Sequence, residues 1–367
     1  MRGRRQFVRG LGGVAISLAG STLVGGCGRG PAAPALAEAQ PETTTIRIAR
    51  DSIAANGSCE APKYAAEDFL RDEGFTDVQY TTPMLGLARQ RAVSSGQAHL
   101  TLPFVFAHIA GVDAGDNIVS LGPIHAGCFE LYATDRIQGI RDLKGKTVGV
   151  YDLGGAGQLF VASMAAYVGL DASRDISWAV PNSTAEALQL FSTGAIDACT
   201  TFPPRSYDFR ASGLGHVVVN SMRDRPWSQY SCCSVTMNRA CVQLYPVATK
   251  RALRAVLQAS DFCAREPERA ARIVVDRFPD GADYGRELQT LQEIPYGQWR
   301  EFDPDDTTRF YSLRLREANM IHGSPQEMIA RGTDWSFLNA LKKELWPTAS
   351  RRAFFCSLSG GSSSVDV

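Results

Sequence analysis

Cysteine is the side chain in this sequence best suited to chemistry, and the 367-residue chain has nine. Eight follow residue 27: Cys59, Cys128, Cys199, Cys232, Cys233, Cys241, Cys263 and Cys356. None has CxxC or CxxCH spacing and no HExxH is present, so no zinc, haem or dithiol motif can be read from spacing. In an oxidising compartment eight cysteines allow roughly a hundred full pairings, and spacing selects none of them. For the adjacent pair Cys232-Cys233, strand geometry predicts one thiol in the core and one, Cys232, facing a cleft. No nucleophile–base pair, cofactor loop or metal cluster stands at motif spacing, although such groups can converge from distant positions. No catalytic residue, metal or cofactor is therefore assigned.

The backbone offers a second chemistry. Asp152–Gly157 is a glycine-rich loop directly before an apolar helical pattern, so free N–H groups and the positive dipole end would face outward at Gly154, Gly155 and Gly157. An anionic or strongly polar group could dock there; the competing reading is a turn that only reverses the chain. It is no dinucleotide fingerprint, because Phe160 holds the third glycine position, and a Walker lysine is absent. Asn56 and Ser58, with Gly57 and Cys59, form the matching polar loop earlier in the chain. Phe104, Thr200 and Phe202 end two short strands, where a planar ligand could stack, or the rings could be core. His125 at the start of a crossover, Asn182 before a helix, and Trp227 and Tyr230 before the return crossover complete the candidate ligand-binding set. Arg205 and Arg210 are expected on a solvated helix face.

These residues are positioned by a faint internal repeat. Ile46–Arg50 and Thr147–Tyr151 each give a strand, a small polar loop and a helix. Each half then closes a helix on glycine, at Gly96 and Gly194, before a second short strand, as a left-handed C-cap requires. Strands alternating with helices predict α/β lobes, each with a mainly parallel sheet. Ile124–Thr134 and Ser231–Met237 are expected to be two crossover strands. That divides the chain into lobe I, residues 44–130 plus 236–345, and lobe II, residues 131–235. Helices are predicted from Pro62, after Ser183 with Glu186 as a capping box, from Pro246 to Cys263, after Asp303, and after Ser324.

Composition places the chain among ordinary globular proteins, with 44% hydrophobic and 21% charged residues. Lys plus Arg and Asp plus Glu are equal at 38 each, so no broad basic field points to nucleic acid. The first 26 residues hold four arginines and no acid, which leaves the rest mildly acidic. Arg4-Arg5-Gln6-Phe7-Val8 followed by apolar Leu11–Gly25 has the form of a twin-arginine export signal, short for a permanent membrane span. Leu23–Cys27 resembles a bacterial lipobox, in which Cys27 would be lipidated. The predicted arrangement is a signal over 1–27, a flexible tether over 28–43 and a disordered tail over 346–367.

Ile140–Val150, with Asp142-Leu143-Lys144-Gly145-Lys146 at its centre, resembles the opening of the second lobe in periplasmic solute-binding proteins of the nitrate/sulfonate/taurine and thiamine-precursor type, the SsuA/THI5-like group. Ala185–Gly194, Ile196-Asp197-Ala198 and Pro203-Pro204 extend the likeness. The resemblance implies a two-lobed type II periplasmic-binding-protein fold with a ligand cleft between lobes. It also implies capture of a sulfonate, nitrogenous heterocycle or pyrimidine precursor, partnership with an ABC permease and ATPase, and a monomeric, membrane-anchored lipoprotein outside the cytoplasm. A pyrimidine-precursor enzyme or a ligand sensor on the same scaffold are the alternatives.

Overall fold

The structure is a computed structural model that describes residues 38–51, 60–84, 86–278 and 281–345. The expected export segment with Cys27, the tether as far as residue 37, Asn56, Ser58 and Cys59, and the tail over 346–367 lie outside the described residues.

In chain order the strands are β1 (Thr45–Ile48), β2 (Asp77–Tyr80), β3 (Leu100–Thr101), β4 (Ile118–Pro123), β5 (Glu130–Ala133), β6 (Lys146–Gly149), β7 (Ile176–Ala179), β8 (Ala198–Thr201), β9 (His216–Asn220) and β10 (Ser234–Asn238). They form two five-stranded sheets, ordered β2-β1-β3-β10-β4 and β7-β6-β8-β5-β9. The repeat in the sequence is the cause of this match. Ile48 lies opposite Leu100 in one sheet and Val148 opposite Ala198 in the other, both in parallel pairs. The glycines that close the preceding helices have left-handed backbones, with φ +79° at Gly96 and +74° at Gly194, a conformation that only glycine adopts without strain.

Each sheet also takes one antiparallel strand at its fourth place. β10 runs against β3 and β4, and β5 against β8 and β9. The chain therefore passes from one sheet to the other between β4 and β5 and returns between β9 and β10. The outward crossing is not the continuous strand expected over 124–134, because Gly127 (φ +60°) and Cys128 (φ +138°) turn it. A side chain at Gly127 would begin 2.5 Å from the Met222 backbone, so glycine is needed for that approach. The two crossings lie side by side: Ile124 N–H donates to Cys233 O at 3.0 Å, and Cys232 N–H donates to His125 O at 2.7 Å.

Helices α1 (Ala61–Asp72), α2 (Leu87–Ser94) and α3 (Val105–Asp113) accompany the first sheet; α4 (Ala156–Tyr167), α5 (Thr184–Ser192) and α6 (Arg205–Ser212) accompany the second. The rest of the chain is helical: α7 (Arg239–Leu244), α8 (Pro246–Arg265), α9 (Pro267–Arg277), α10 (Tyr284–Glu293), α11 (Pro304–Glu317), α12 (Pro325–Gly332) and α13 (Ser336–Leu345). α8 is amphipathic and buries Ala252, Leu253, Val256 and Leu257, packing on α1. Asp303 caps α11 through Asp305 N–H and Asp306 N–H, and Ser324 with Glu327 forms a reciprocal capping box on α12. Each cap is worth about 1 kcal/mol.

One apolar cluster runs from the first sheet through the crossings, and a smaller one lies around Phe191, Cys199 and Phe209 on the second. Between the sheets the core is aromatic. Phe129 packs at 4.7 Å from Phe104 and 5.0 Å from Phe160, and Phe160 at 5.9 Å from Trp227.

Candidate ligand cleft

A cleft of about 820 Å³ opens where the parallel strands of both sheets end. That is where α/β sheets present loops and helix starts, and the volume suits a molecule of drug size. One wall comes from α2 and the end of β3: Gly86, Leu87, Arg89, Gln90, Arg91, Thr101, Pro103 and Phe104. The facing wall comes from the ends of β6, β7 and β8: Tyr151, Asp152, Gly157, Val180 to Thr184, Thr200, Phe202 and Arg205. Phe129 joins them at the base. At the rim the walls come close, since a side chain at Gly86 would begin 3.5 Å from Asp152 Oδ2.

Arg89 is fixed by the protein's own carboxylates. Its Nη1 donates to Asp51 Oδ2 at 3.1 Å and also bonds Glu60, while Lys63 Nζ donates to Asp51 at 3.1 Å and bonds Glu60 in turn. All four side chains are buried. Burial alone would raise Asp51, but Arg89 and Lys63 hold it below the usual carboxylate range; at Glu60 burial, with Asp51 beside it, pushes the carboxyl up. Asp51 and Glu60 hold the guanidinium in place, so Arg89 acts as a rigid, directed donor.

Arg205 differs. Its guanidinium lies over the Tyr151 ring at 4.5 Å and over Phe202 at 5.8 Å, and it makes no ion pair among the described residues. The proline turn Pro203-Pro204 places it at the first position of α6, aimed back across the ends of β6 and β8. The far end of α6 is tied down. Tyr207 Oη meets Thr290 Oγ1 at 3.1 Å, Arg286 pairs with Asp208 at 2.8 Å, and Arg210 bonds the fully buried Glu130. The solvated face expected for Arg205 and Arg210 is thus corrected. One lines the cleft, and the other answers a carboxylate that Asn220 also bonds at 3.1 Å.

The glycine loop is present but already holds an acid. The Asp152 carboxylate packs where a Gly155 side chain would be, about 1.9 Å from the position of its Cβ. It bonds no described residue, and the partial loss of solvent raises it above the ordinary range. The exposed donor Gly154 N–H goes to Gln158 Oε1 at 2.7 Å. The α4 start therefore presents a carboxylate beside its N–H groups, and the cation of that wall is Arg205.

Of the residues expected from sequence, Phe104, Gly157, Asn182, Thr200 and Phe202 line the cleft, and Gly154 and Gly155 flank it. Asn182 is held by Glu186, whose carboxylate accepts from Asn182 N–H at 2.8 Å and from its Nδ2 at 3.0 Å, while Ser183 Oγ accepts from Glu186 N–H. Four others of the expected set lie off the cleft. Trp227 is buried against Phe160, Tyr167 and Phe310; Tyr230 stacks on Phe310 with centroids 4.0 Å apart; His125 is sealed beside Tyr296; and Cys232 is buried in the crossing. α11 lies over the return segment and turns these rings inward, with Ser231 N–H reaching Thr307 Oγ1 at 3.4 Å. Sequence reasoning missed Arg89, Gln90, Arg91, Tyr151 and Arg205. Tyr151 stands directly beyond a strand end, which was a usable signal; Arg89 sits in a polar helix with no distinguishing spacing.

Folding also gathers groups that spacing kept apart. His125, Cys128 and Cys233 bring one ligand atom each within 4.8 Å of one another, and Cys128 Sγ lies 2.8 Å from Cys232 Sγ.

Comparison with known proteins fits this architecture. A family model described as NMT1/THI5 like matches residues 61–270. No curated protein matches the chain at a significant level. Among solved structures, the periplasmic nitrate-binding protein NrtA from Synechocystis PCC 6803 is 15% identical with a TM-score of 0.64, over 85% of this chain and 92% of that one. The alkanesulfonate-binding protein SsuA from Xanthomonas axonopodis pv. citri, bound to MOPS, is 15% identical with a TM-score of 0.60, over 80% and 99%. A protein from Bordetella bronchiseptica RB50 is 18% identical with a TM-score of 0.63, over 84% and 99%. At such identities the likeness is one of fold, the two-lobed periplasmic-binding-protein fold.

Proposed function

This chain belongs to the NMT1/THI5-like family, and on that premise we propose that it is the extracytoplasmic solute-binding component of an ABC importer. The observation that carries the reading is Arg205, stacked on Tyr151 without a carboxylate partner among the described residues, in a cleft lined from both sheets. A ligand that touches both walls stabilises the closed arrangement, and a permease can then recognise that closed state. Solved relatives of the same fold are named for nitrate and alkanesulfonate binding, which supports capture of a small polar solute.

Within the classes expected from sequence, the cleft favours a nitrogen heterocycle with an anionic substituent. Arg205 and the directed Arg89 receive the anion, Asp152 accepts from a ring N–H, and Phe104, Phe202 and Tyr151 flank a planar body. We further propose that residues 1–27 direct export, that Cys27 carries the lipid anchor and that 28–43 is the tether. Lobe I would then be 44–130 plus 236–345, and lobe II 131–235.

Thermal melting against sulfonates, nitrogen heterocycles and pyrimidine precursors tests the reading. One-to-one binding of a member should raise stability by about 2.7 kcal/mol at a hundredfold excess over Kd. A panel that leaves the midpoint unmoved contradicts it.

A further inference from the structure

We propose that Cys128 and Cys232 are joined by a disulfide that clasps the two crossings at the hinge. Their sulfurs are 2.8 Å apart although the residues are 104 positions apart in sequence, and both side chains are buried. A covalent S–S bond is about 2 Å long, so a small rotation of either side chain closes the gap. The backbones already run side by side there, through the bond from Cys232 N–H to His125 O and the bridge between Ala126 and Ser231. The left-handed turn at Gly127 and Cys128 aims the first thiol at the return segment. Cys233 lies farther from Cys232, with sulfurs 4.0 Å apart.

A metal centre on Cys128 is the competing reading: His125, Cys128 and Cys233 bring ligand atoms within 4.8 Å of one another, and the Cys128 and Cys232 sulfurs, 2.8 Å apart, are closer than the roughly 3.8 Å of two thiolates on one tetrahedral ion.

The step requires an oxidant, and the proposal rests on the extracytoplasmic reading because such compartments supply protein thiol oxidases. The oxidase disulfide takes one cysteine as a mixed disulfide, and the thiolate of the other displaces it. The Sγ–Sγ bond forms, the oxidase leaves as a dithiol, and the two protons and two electrons lost by the cysteines reside on it. Because both sulfurs are sealed in the folded protein, the bond forms as the crossings pack.

The consequence is topological. Every strand of the second sheet, from β5 at Glu130 to β9 at Asn220, lies between the two cysteines. The disulfide closes that sheet into one covalent loop at its neck and fixes the register of the two crossings, leaving each lobe to move as a body.

The test is to produce the full chain with its own leader in a bacterium, fractionate the cells, block thiols in acid and map the peptides. The expected result is envelope protein in which the Cys128 and Cys232 peptides are linked, two hydrogens lighter than the blocked pair. Envelope protein with both residues alkylated, or with a metal retained on them, overturns the clasp while leaving export intact. If the chain stays in the cytoplasm the export reading fails, and refolding it in a glutathione redox buffer decides the clasp: linkage of this pair supports it and any other pairing overturns it. Cys232→Ser should abolish the link and lower the melting midpoint by about 5–10 °C, as reductant does to the parent. Cys233→Ser should leave the link intact; loss of the link in that variant also overturns the proposal.

Discussion

The Arg205 guanidinium lies 4.5 Å above the centre of the Tyr151 ring, on the cleft wall built by the second sheet. Arginine over an aromatic face keeps its charge and its in-plane donors, so the pair presents a flat, cationic surface. Arg205→Ala should weaken ligand binding about 10- to 100-fold, and Arg205→Lys should recover little, because an ammonium has no fork. Titration calorimetry on the two variants checks this, with melting midpoints near the parent showing that the fold is intact.

Asp152 faces the same space and titrates above the usual carboxylate range because the cleft wall removes part of its solvent. As pH falls, it therefore protonates earlier than an exposed aspartate. A ligand that donates an N–H to this group should lose affinity on acidification, and Asp152→Asn should flatten that dependence. Affinity measured from pH 8 to pH 4 on both proteins is the check.

Gly157 has little room for a side chain, since its Cβ would meet Thr200 Oγ1 at 2.7 Å. Gly157→Val should fill the base of the cleft, abolish measurable binding and cost about 1–3 kcal/mol of stability. Gly154 has open space around it but φ +72°, so Gly154→Ala should strain the loop while leaving the cleft volume unchanged. Comparison of the two by binding and chemical denaturation separates occlusion from strain.

Glu130 is buried with Arg210 as its cation, and burial raises its carboxyl while Arg210 opposes the rise. Arg210→Ala leaves that acid buried without its charge partner and should cost about 3 kcal/mol. Adding Glu130→Gln should restore most of the loss, a coupling that a double-mutant cycle in urea measures.

His108 links α3 to the end of α12, with Nε2 donating to Gly332 O at 2.8 Å and Nδ1 meeting Thr236 Oγ1 at 3.3 Å. Burial lowers its pKa from 6.5 to about 4. The unfolded chain therefore binds a proton that the folded chain refuses. Stability should fall as pH drops from about 6.5 to about 4, by about 3 kcal/mol in the limit. His99, lowered to about 4 mainly by burial, adds to the same slope. Urea midpoints for the parent and His108→Gln across this range check the sign, the variant showing the shallower slope.

How much of this was legible in the sequence depends on what places each residue. Phe104, Gly157, Asn182, Thr200 and Phe202 share one cleft because strand ends and helix starts are local features, and the fold brings those ends together. Arg205 was misread because its direction depends on the turn at Pro203-Pro204 and on Tyr151, a neighbour only in space. Arg89 depends on Asp51 and Glu60, which no periodicity connects to it. Trp227 and Tyr230 were sent to the wrong face because their side is set by α11, some eighty residues later in the chain. Local pattern thus gave the repeat and the loops, whereas long-range packing decided which side chains face the cleft.

The central claim is that the space between the sheets holds a small solute through Arg205. Calorimetric titration of the parent and of Arg205→Ala, with whichever panel compound most raises the parent's melting midpoint, tests it most directly. The account predicts one site per chain in the parent and at least a tenfold loss in the variant. Equal affinity in the two proteins would contradict it.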